Sequence, residues 1–378
     1  MFGIDGFYYE KIYDALIALL CIIIFIYFSF SNSNVRIHGE KGIITGHFYS
    51  FILISFVIIF IGLRPLSRWF VDMHLYDHVY NNIYGDNNNV FSDSRGEWLF
   101  YLFGMTCKKL GLSSEQYFLS IAIIYFGLMY LACRKLMYNN LFLALLFCLS
   151  SFSCFSYATN GLRNGMACSI VMLAVSLLSE DNWKKILAFI LMFCAYSIHH
   201  STALPSICAI SALLLVKDIK WAIYFWIASI FISLVAGNLV TELFVNLGLD
   251  DRMEQYANLE ELQEPTRSDQ LSSFRIDFII YSIMPIILAW YVSVKRNFKD
   301  LTYHIIATTY ILANAFWIMV IRSEQSNRFA YLSWFLYPLV IAYPLLRMNI
   351  WDDQDRKTAF ILLVYSGFTF FMTFVYYG

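Results

Sequence analysis

The chain has 378 residues, of which 60% are hydrophobic and only 14% carry charged side chains. A soluble domain has about a quarter charged residues, so this composition excludes an ordinary water-soluble fold and predicts a membrane protein. The net charge of −1 comes without any basic stretch or nucleic-acid-binding motif, which excludes nucleic acid as a partner.

Apolar runs long enough to cross a bilayer recur along the whole chain. A spanning helix needs about 20 mostly apolar residues. By that measure the sequence predicts an all-α bundle of about 12 transmembrane helices in one membrane domain, 1–378. The predicted spans lie at 13–30, 47–63, 117–131, 140–158, 162–179, 185–200, 201–216, 220–237, 273–294, 301–321, 327–346 and 357–376.

Basic residues in the short loops indicate the orientation of the bundle. The loops after the odd-numbered spans all contain Lys or Arg, for example Arg134 and Lys135, or Lys184 and Lys185. Such loops stay in the cytoplasm, so both termini and the two long loops, 64–116 and 238–272, are predicted to lie outside. Long loops in compact proteins tend to be functional.

The first long loop contains an apolar stretch, 97–109, that is too short to span. It predicts an amphipathic helix on the outer membrane surface. The preceding tract, 81–96, is rich in Asn, Asp, Ser and Gly, which is typical of a solvated segment with turns. No repeat of fixed period is visible, and this weakens the case for an inverted-repeat transporter.

The eight cysteines form no CxxC motif and no Cys/His cluster. Most of them lie in or beside apolar runs, which predicts small buried side chains. Neither a disulfide scaffold nor a zinc site is expected.

Positive charge gathers at the predicted outer ends of the spans, although the topology rule disfavours it there. Each such side chain costs about 2.5–3.5 kcal/mol if it lies deep in the bilayer. Arginine binds phosphate bidentately and keeps its charge, so clustered guanidiniums indicate an anion site. The polar residues of this face are Arg64, Arg68, Asn160, Arg163, His199, His200, Arg275, Arg322 and Arg328.

The segment 62–76 is considered as a helix with Pro65 in its first turn. Arg64, Arg68, Asp72 and Tyr76 would then share one face at i+4 spacing. The alternative is an exposed Arg68–Asp72 pair worth about 0.3–0.5 kcal/mol.

Asn160, Arg163 and Asn164 would also face one way, at the start of the fifth span. Alternatively, Arg163 only extends its side chain to the interface from the end of a span. His199 and His200 would point to different faces of a helix, so a metal site is not expected, but one of them could serve as a base or as a phosphate partner. The link 322–328 is either a solvated turn or part of the same anion site.

Five stretches of the chain together resemble the EpsG family of exopolysaccharide polymerases, which is related in role to the Wzy O-antigen polymerases. They are GLRPLSRWFVDMHLY (62–76), EWLF (97–100), NGLRNGMACSIVMLA (160–174), IHHSTALP (198–205) and SNRFAYLSWFLYPLVIAYPLL (326–346). Two positions depart from the family pattern. FVD follows Arg68 where FGD is expected, and His200 stands where a Lys is expected, so His199 inherits the family role.

The resemblance implies a GT-C-like integral-membrane glycosyltransferase that polymerises capsule, exopolysaccharide or O-antigen repeat units carried on undecaprenyl diphosphate. It implies a multi-pass protein of the bacterial inner membrane with its active site facing the periplasm, and no cofactor. The expected partners are the bilayer, the undecaprenyl-diphosphate-linked oligosaccharide, and chain-length regulator and flippase proteins.

The implied reaction is a displacement at an anomeric carbon, with lipid diphosphate as the leaving group. Cations must take up the charge that develops on the diphosphate. Arg64, Arg163 and Arg328 are expected to converge for this purpose, with Arg68 and Arg322 as outer partners. The outer face has no DxD-like pair, so a metal-independent reaction is expected.

Three residues are candidates for the base that deprotonates the acceptor hydroxyl. Carboxylates beside an Arg cluster usually have depressed pKa values, so Asp72 is assigned to positioning. Glu97 at a helix N-terminus would also be held ionised. A neutral imidazole suits proton transfer near pH 7, so His199 is the predicted base and Glu97 the next candidate. The residues expected to contact the sugar are Asn160, Tyr76 and Asn164.

Other functions are compatible with these residues. An O-antigen-ligase-like or single-sugar transferase would use the same lipid donor and share the site chemistry. A membrane O-acyltransferase would need a polar path from the cytoplasm, and none is evident. A transporter or flippase of lipid-linked sugars would place ionisable residues at mid-membrane, where this chain has few.

Overall fold

The computed structural model describes residues 3–30, 40–82, 84, 96–246, 276–322 and 326–377, which contain no β-strand. The predicted all-α class is therefore confirmed. The helices up to residue 198 are α1 (Gly6–Phe30), α2 (Glu40–Gly62), α3 (Val71–Asn82), α4 (Trp98–Lys109), α5 (Ser114–Leu136), α6 (Leu141–Leu149), α7 (Cys154–Thr159), α8 (Leu162–Leu177) and α9 (Asn182–Ile198).

The remaining helices are α10 (Ala203–Leu214), α11 (Ile219–Asn246), α12 (Ile276–Trp290), α13 (Leu301–Met319), α14 (Ser326–Trp334), α15 (Tyr337–Arg347) and α16 (Gln354–Phe371). Short 3₁₀ turns lie at Tyr138–Asn140 and His200–Thr202, and π-helical turns at Tyr291–Lys295 and Met372–Tyr376 extend α12 and α16.

Polar side chains start two of these helices where the apolar runs begin. Ser113 forms a capping box with Gln116 at the start of α5, which satisfies two backbone N–H groups. The carboxylate of Asp300 accepts a hydrogen bond from the Tyr303 N–H (2.8 Å) at the start of α13.

Six helical stretches among the described residues are long and apolar enough to cross a membrane: Gly6–Phe30, Ile44–Gly62, Ser114–Leu136, Ile276–Lys295, Arg328–Arg347 and Gln354–Tyr376. Four shorter apolar helices are Tyr138–Leu149, Leu162–Leu177, His200–Leu214 and Ile219–Val235. The topology of about 12 spans and the GT-C-like architecture stay predictions.

The predicted span at 140–158 is wrong as a continuous helix. The structure divides it into α6 and α7, and α6 rises only about 14 Å, half of a hydrocarbon core of about 30 Å. Side chains of two other helices hold the break. The Tyr13 hydroxyl donates to the Leu149 carbonyl (2.7 Å) and the Thr369 hydroxyl to the Ser150 carbonyl (2.7 Å). Non-helical backbone at membrane depth needs such internal partners.

The interpretation of 62–76 as a helix with Pro65 in its first turn is also wrong. The chain is irregular between α2 and α3, where the Phe70 N–H bonds to the Ser67 carbonyl (2.9 Å) in a turn. Arg64 and Arg68 therefore precede the helix and do not share a face with Asp72 and Tyr76. The turn redirects the chain before helical geometry begins, so i+4 spacing has no meaning across it.

Other predicted boundaries agree with the structure. The helix expected at 97–109 is α4. The predicted break between two spans is present, because α9 ends at Ile198 and α10 begins at Ala203, with Pro205 in its first turn. The loop predicted from residue 238 starts later, since α11 continues to Asn246. Most of 81–96 lies outside the described residues.

The first of two compact units comprises Met1–Ser176, Leu187–His199 and Ala342–Gly378. Within it, α1 packs against α16, α2 against α5 and α6, and α3 against α4 and α5. The terminal helices of the chain thus support each other, and α3, from the loop 64–116, is anchored on the long apolar helix α5.

The second unit comprises Leu177–Ile186 and His200–Ile341. Its centre is α13, which packs against α10, α11, α12 and α14. Asn314 in α13 is fully buried, accepts a hydrogen bond from the Trp226 indole (2.8 Å) and donates to the Ser333 hydroxyl (3.0 Å). A buried amide with both kinds of partner stabilises one arrangement of these helices.

All eight cysteines are free thiols, and seven of them are buried. This confirms the prediction of small buried side chains. The single membrane domain stays a prediction.

Candidate functional site

Four polar side chains from four different parts of the first unit meet in one place. The carboxylate of Glu97 contacts the imidazole of His199, with 2.7 Å between Oε1 and Nδ1. Its other oxygen, Oε2, forms an ion pair with Nη1 of Arg163. The Arg163 Nε–H donates to the hydroxyl of Tyr76 (2.6 Å). These four residues are named the Glu97 cluster.

Local sequence explains how Glu97 reaches this position. Gly96 has a φ of 88°, a left-handed conformation that glycine adopts without steric cost. Glu97 follows as the residue before α4, and its side chain does not cap that helix. The carboxylate turns instead to Arg163 and His199. The helix expected at 97–109 is confirmed, with Glu97 at its start. The contacts of Glu97 with Arg163 and His199 were not part of that expectation.

Two of the other three residues stand at helix ends, and the third lies inside a helix. Arg163 is the second residue of α8, Tyr76 lies in the middle of α3, and His199 directly follows α9. The His199 N–H still bonds to the Ala195 carbonyl (2.9 Å), so the imidazole is held by the last turn of that helix. A site built on helices and their ends is positioned by rigid elements.

The cluster is half-buried and has an aromatic floor. The side chains of Arg163, Glu97 and His199 are 21%, 15% and 16% exposed, so solvent or a ligand can reach them. The Arg163 guanidinium lies 5.7 Å from the ring of Tyr76 and 6.0 Å from the ring of Phe100. Cation–π attraction of about 0.5–2 kcal/mol per ring adds to the ion pair in such a setting.

Charge around Arg163 is predominantly negative. Asp72 attracts the guanidinium electrostatically, in addition to Glu97 and the Tyr76 hydroxyl. The second terminal nitrogen, Nη2, makes no hydrogen bond within the described part of the chain. One edge of the guanidinium therefore remains able to donate to an anion.

The geometry determines which nitrogen of His199 can act as a base. An ionised Glu97 accepts a hydrogen bond from Nδ1, and in the neutral imidazole this leaves the lone pair on Nε2. The ion pair with Arg163 stabilises the charged form of Glu97. The arrangement resembles the base–carboxylate pair of a catalytic triad, in which the carboxylate orients the imidazole and does not itself take the proton.

Arg64 is placed differently from Arg163. It is 2% exposed, its Nη1 donates to the Ile61 carbonyl (2.8 Å) and its Nη2 to the Thr159 carbonyl (3.3 Å). The guanidinium lies 5.2 Å from the ring of Phe70 and 5.8 Å from that of Phe118. Burial lowers the pKa of Arg64 to about 9, so the side chain still carries its charge at neutral pH.

The other predicted residues of the first unit take no part in the contacts of the Glu97 cluster. Arg68 is exposed and stacks on Trp69 at 5.4 Å. Asn164 accepts a hydrogen bond from the Cys168 thiol (3.1 Å). The Oδ1 of Asn160 is buried and has no hydrogen-bond partner in the described part of the chain. Two predicted diphosphate ligands belong to the second unit. Arg322 is half-buried and Arg328 is exposed.

The structure thus brings together Tyr76, Glu97, Arg163 and His199, with Asp72 nearby. The expected convergence of Arg64, Arg163 and Arg328 stays a prediction. Sequence reasoning missed the Glu97–Arg163 ion pair. It also missed Phe100, although that residue closes the EWLF motif. A purely local signal for the ion pair does not exist, because its partners are 66 residues apart.

The comparisons with known proteins give one match. The family model described as the EpsG family matches residues 47–378, which covers most of α2 and all the described helices after it, including the Glu97 cluster. No curated protein and no solved structure shows a significant match.

Proposed function

The chain belongs to the EpsG family, which is associated with membrane polysaccharide polymerases, and from this premise we propose a specific activity and mechanism. The protein is an integral membrane protein of polysaccharide biosynthesis. We propose that it is a glycosyltransferase that joins repeat units carried on undecaprenyl diphosphate, at the periplasmic face of the inner membrane. The observation that carries the proposal is the contact of Glu97 with both His199 and Arg163.

The proposed step is a displacement at the anomeric carbon of the growing chain. The oxygen of an acceptor hydroxyl on a second lipid-linked repeat unit forms the new bond to that carbon. The bond between the carbon and the diphosphate oxygen breaks, and its electron pair leaves with undecaprenyl diphosphate. The hydroxyl proton passes to Nε2 of His199, while Glu97 stabilises the imidazolium that results.

The leaving group needs positive charge but no protonation. Arg163 supplies this charge, and its Nη2 donates to the diphosphate, because Nε and Nη1 already donate to Tyr76 and Glu97. We propose Arg68, Arg322 and Arg328 as further ligands of the diphosphate, so that guanidiniums serve where other transferases use a metal ion. Hydrogen bonds from such preorganised donors typically contribute about 2.7–4 kcal/mol each to the transition state of a reaction.

Sugar hydroxyls would meet the remaining polar groups around the cluster. Asp72 and the Tyr76 hydroxyl lie on the α3 side, and the amides of Asn160 and Asn164 on the α8 side. Carboxylates and amides can accept and donate several hydrogen bonds to a sugar. The apolar surfaces of the long helices, for example exposed Leu19, Ile23 and Phe56 of α1 and α2, would face lipid acyl or polyprenyl chains.

The test is reconstitution of the purified protein in lipid nanodiscs with a synthetic undecaprenyl-diphosphate-linked repeat unit. A ladder of products on a gel supports polymerisation. A single addition indicates a ligase or single-sugar transferase, and movement of the lipid without a new bond indicates a flippase.

The same assay tests the base. His199→Ala is expected to lose nearly all polymerisation, because it removes the imidazole that contacts Glu97 and takes the proton in the proposed step. If His199→Ala polymerises at close to the wild-type rate while Glu97→Gln is inactive, the carboxylate is the base.

A further inference from the structure

Arg64 contacts the end of a helix that leads directly into the Glu97 cluster. Its Nη2 donates to the carbonyl of Thr159, the last residue of α7. Four residues later in the chain is Arg163. The intervening turn is tight, because the N–H groups of Asn160 and Gly161 both bond to the Ser156 carbonyl (2.9 Å each). A shift of Thr159 would therefore be passed on to Arg163.

Arg64 also contacts the segment that leads into the other side of the cluster. The guanidinium lies over the ring of Phe70, which directly precedes α3, and α3 carries Tyr76. The Phe70 carbonyl accepts a hydrogen bond from the Met73 N–H (3.0 Å) in the first turn of that helix. One guanidinium thus touches both segments whose side chains meet in the Arg163–Tyr76 hydrogen bond.

The surroundings of Arg64 differ from those of a ligand site. Both terminal nitrogens already donate to backbone carbonyls, and Nε is buried and has no partner in the described part of the chain. A diphosphate could contact the guanidinium only by displacing these carbonyls. Because Ile61 and Thr159 lie at the C-terminal ends of α2 and α7, the cation also compensates the partial negative charge of two helix ends.

We propose that Arg64 is a positioning residue, which holds the end of α7 against the segment before α3 and so sets Arg163 and Tyr76 in place. It does not bind the diphosphate, although the resemblance assigned it that role. Lysine cannot replace it, because a single ammonium lacks the two-armed fork that reaches both carbonyls. The proposal rests on the proposed function, in that the cluster is taken as the reaction site.

Arg64→Lys, Arg163→Lys and the double variant test this role in nanodiscs. In Arg64→Lys we expect kcat to fall by about 100-fold, the cost typical of a misplacement near 1 Å, with an unchanged KM for the lipid-linked donor. The double variant should be no worse than Arg163→Lys alone, since both changes disturb one contact. The matched control is Arg134→Lys. Arg134 is exposed and lies in the last turn of α5, whereas Phe118, which contacts Arg64, lies near the start of that helix.

A readout that needs no turnover is the rate at which diethyl pyrocarbonate modifies His199, followed by peptide mass spectrometry. A loosened cluster predicts faster modification of His199 in Arg64→Lys than in the control. Phe70→Leu removes the contact on the α3 side without changing any charge, and we expect the same faster modification.

A raised donor KM with normal kcat in Arg64→Lys, or rate losses that multiply in the double variant, would overturn the proposal. So would an unchanged modification rate of His199 in both Arg64→Lys and Phe70→Leu. A wild-type protein that forms no ladder would refute the proposed polymerase function instead, and the modification rates would still decide the role of Arg64.

Discussion

Glu97 is the residue whose change should do most damage, because it serves two partners at once. In Glu97→Gln the amide has one oxygen and one nitrogen where the carboxylate has two oxygens. If the amide oxygen accepts from His199 Nδ1, the NH₂ group faces the Arg163 guanidinium, and two donors meet. If the amide is reversed, its NH₂ donates to Nδ1, which places the imidazole proton on Nε2 and removes the base.

The magnitude follows from these two orientations. The wrong tautomer alone costs about 10⁴-fold in kcat where a carboxylate orients a catalytic histidine. The first orientation keeps the tautomer but leaves Arg163 without its charge partner. We therefore expect a loss of about 10³- to 10⁴-fold in kcat. Destabilisation of the fold should be about 1–3 kcal/mol, at the lower end because the pair is 15–21% exposed.

The assay is the initial rate of chain extension in nanodiscs, with Glu115→Gln as the control. Glu115 is an exposed carboxylate in the first turn of α5, and its loss is expected to leave the rate unchanged. Thermal unfolding of both variants separates loss of catalysis from loss of fold. A Glu97→Gln protein that folds and polymerises within about threefold of wild type (less than 1 kcal/mol in barrier) would refute the proposed role.

Two further predictions concern the scaffold of the first unit. Gly165→Ala should destabilise the fold by about 1–3 kcal/mol, because the new Cβ would lie 2.5 Å from the Tyr157 carbonyl oxygen. The control is Gly127→Ala, which should have little effect because no atom lies within 4 Å of its new Cβ. Equal melting temperatures for the two variants would contradict this. Tyr13→Phe should lower the free energy of unfolding by about 1–2 kcal/mol, because the buried Leu149 carbonyl loses its donor. If the variant has the denaturation midpoint of the wild type, α1 does not stabilise the break between α6 and α7.

The predicted secondary structure was largely correct because hydropathy and helix breakers act locally. The boundary between α9 and α10 followed from polar residues and Pro205 alone. The prediction failed at α6, because the apolar run 140–158 has no breaker strong enough to reveal the break. Partners from α1 and α16 stabilise that break, and no local pattern contains them. The same holds for the segment before α3, where Pro65 suggested a helix start.

The sequence by itself determined that this is an all-α membrane protein, and its motifs determined the family, because composition and short motifs are properties of neighbouring residues. It also identified Glu97, Arg163 and His199 as candidates. Only the tertiary structure decided that these three meet, since Glu97 and His199 are 102 residues apart. Only the structure showed that Arg163 and Arg64 have different environments. The difference is one of burial and partners, and these arise when distant helices pack.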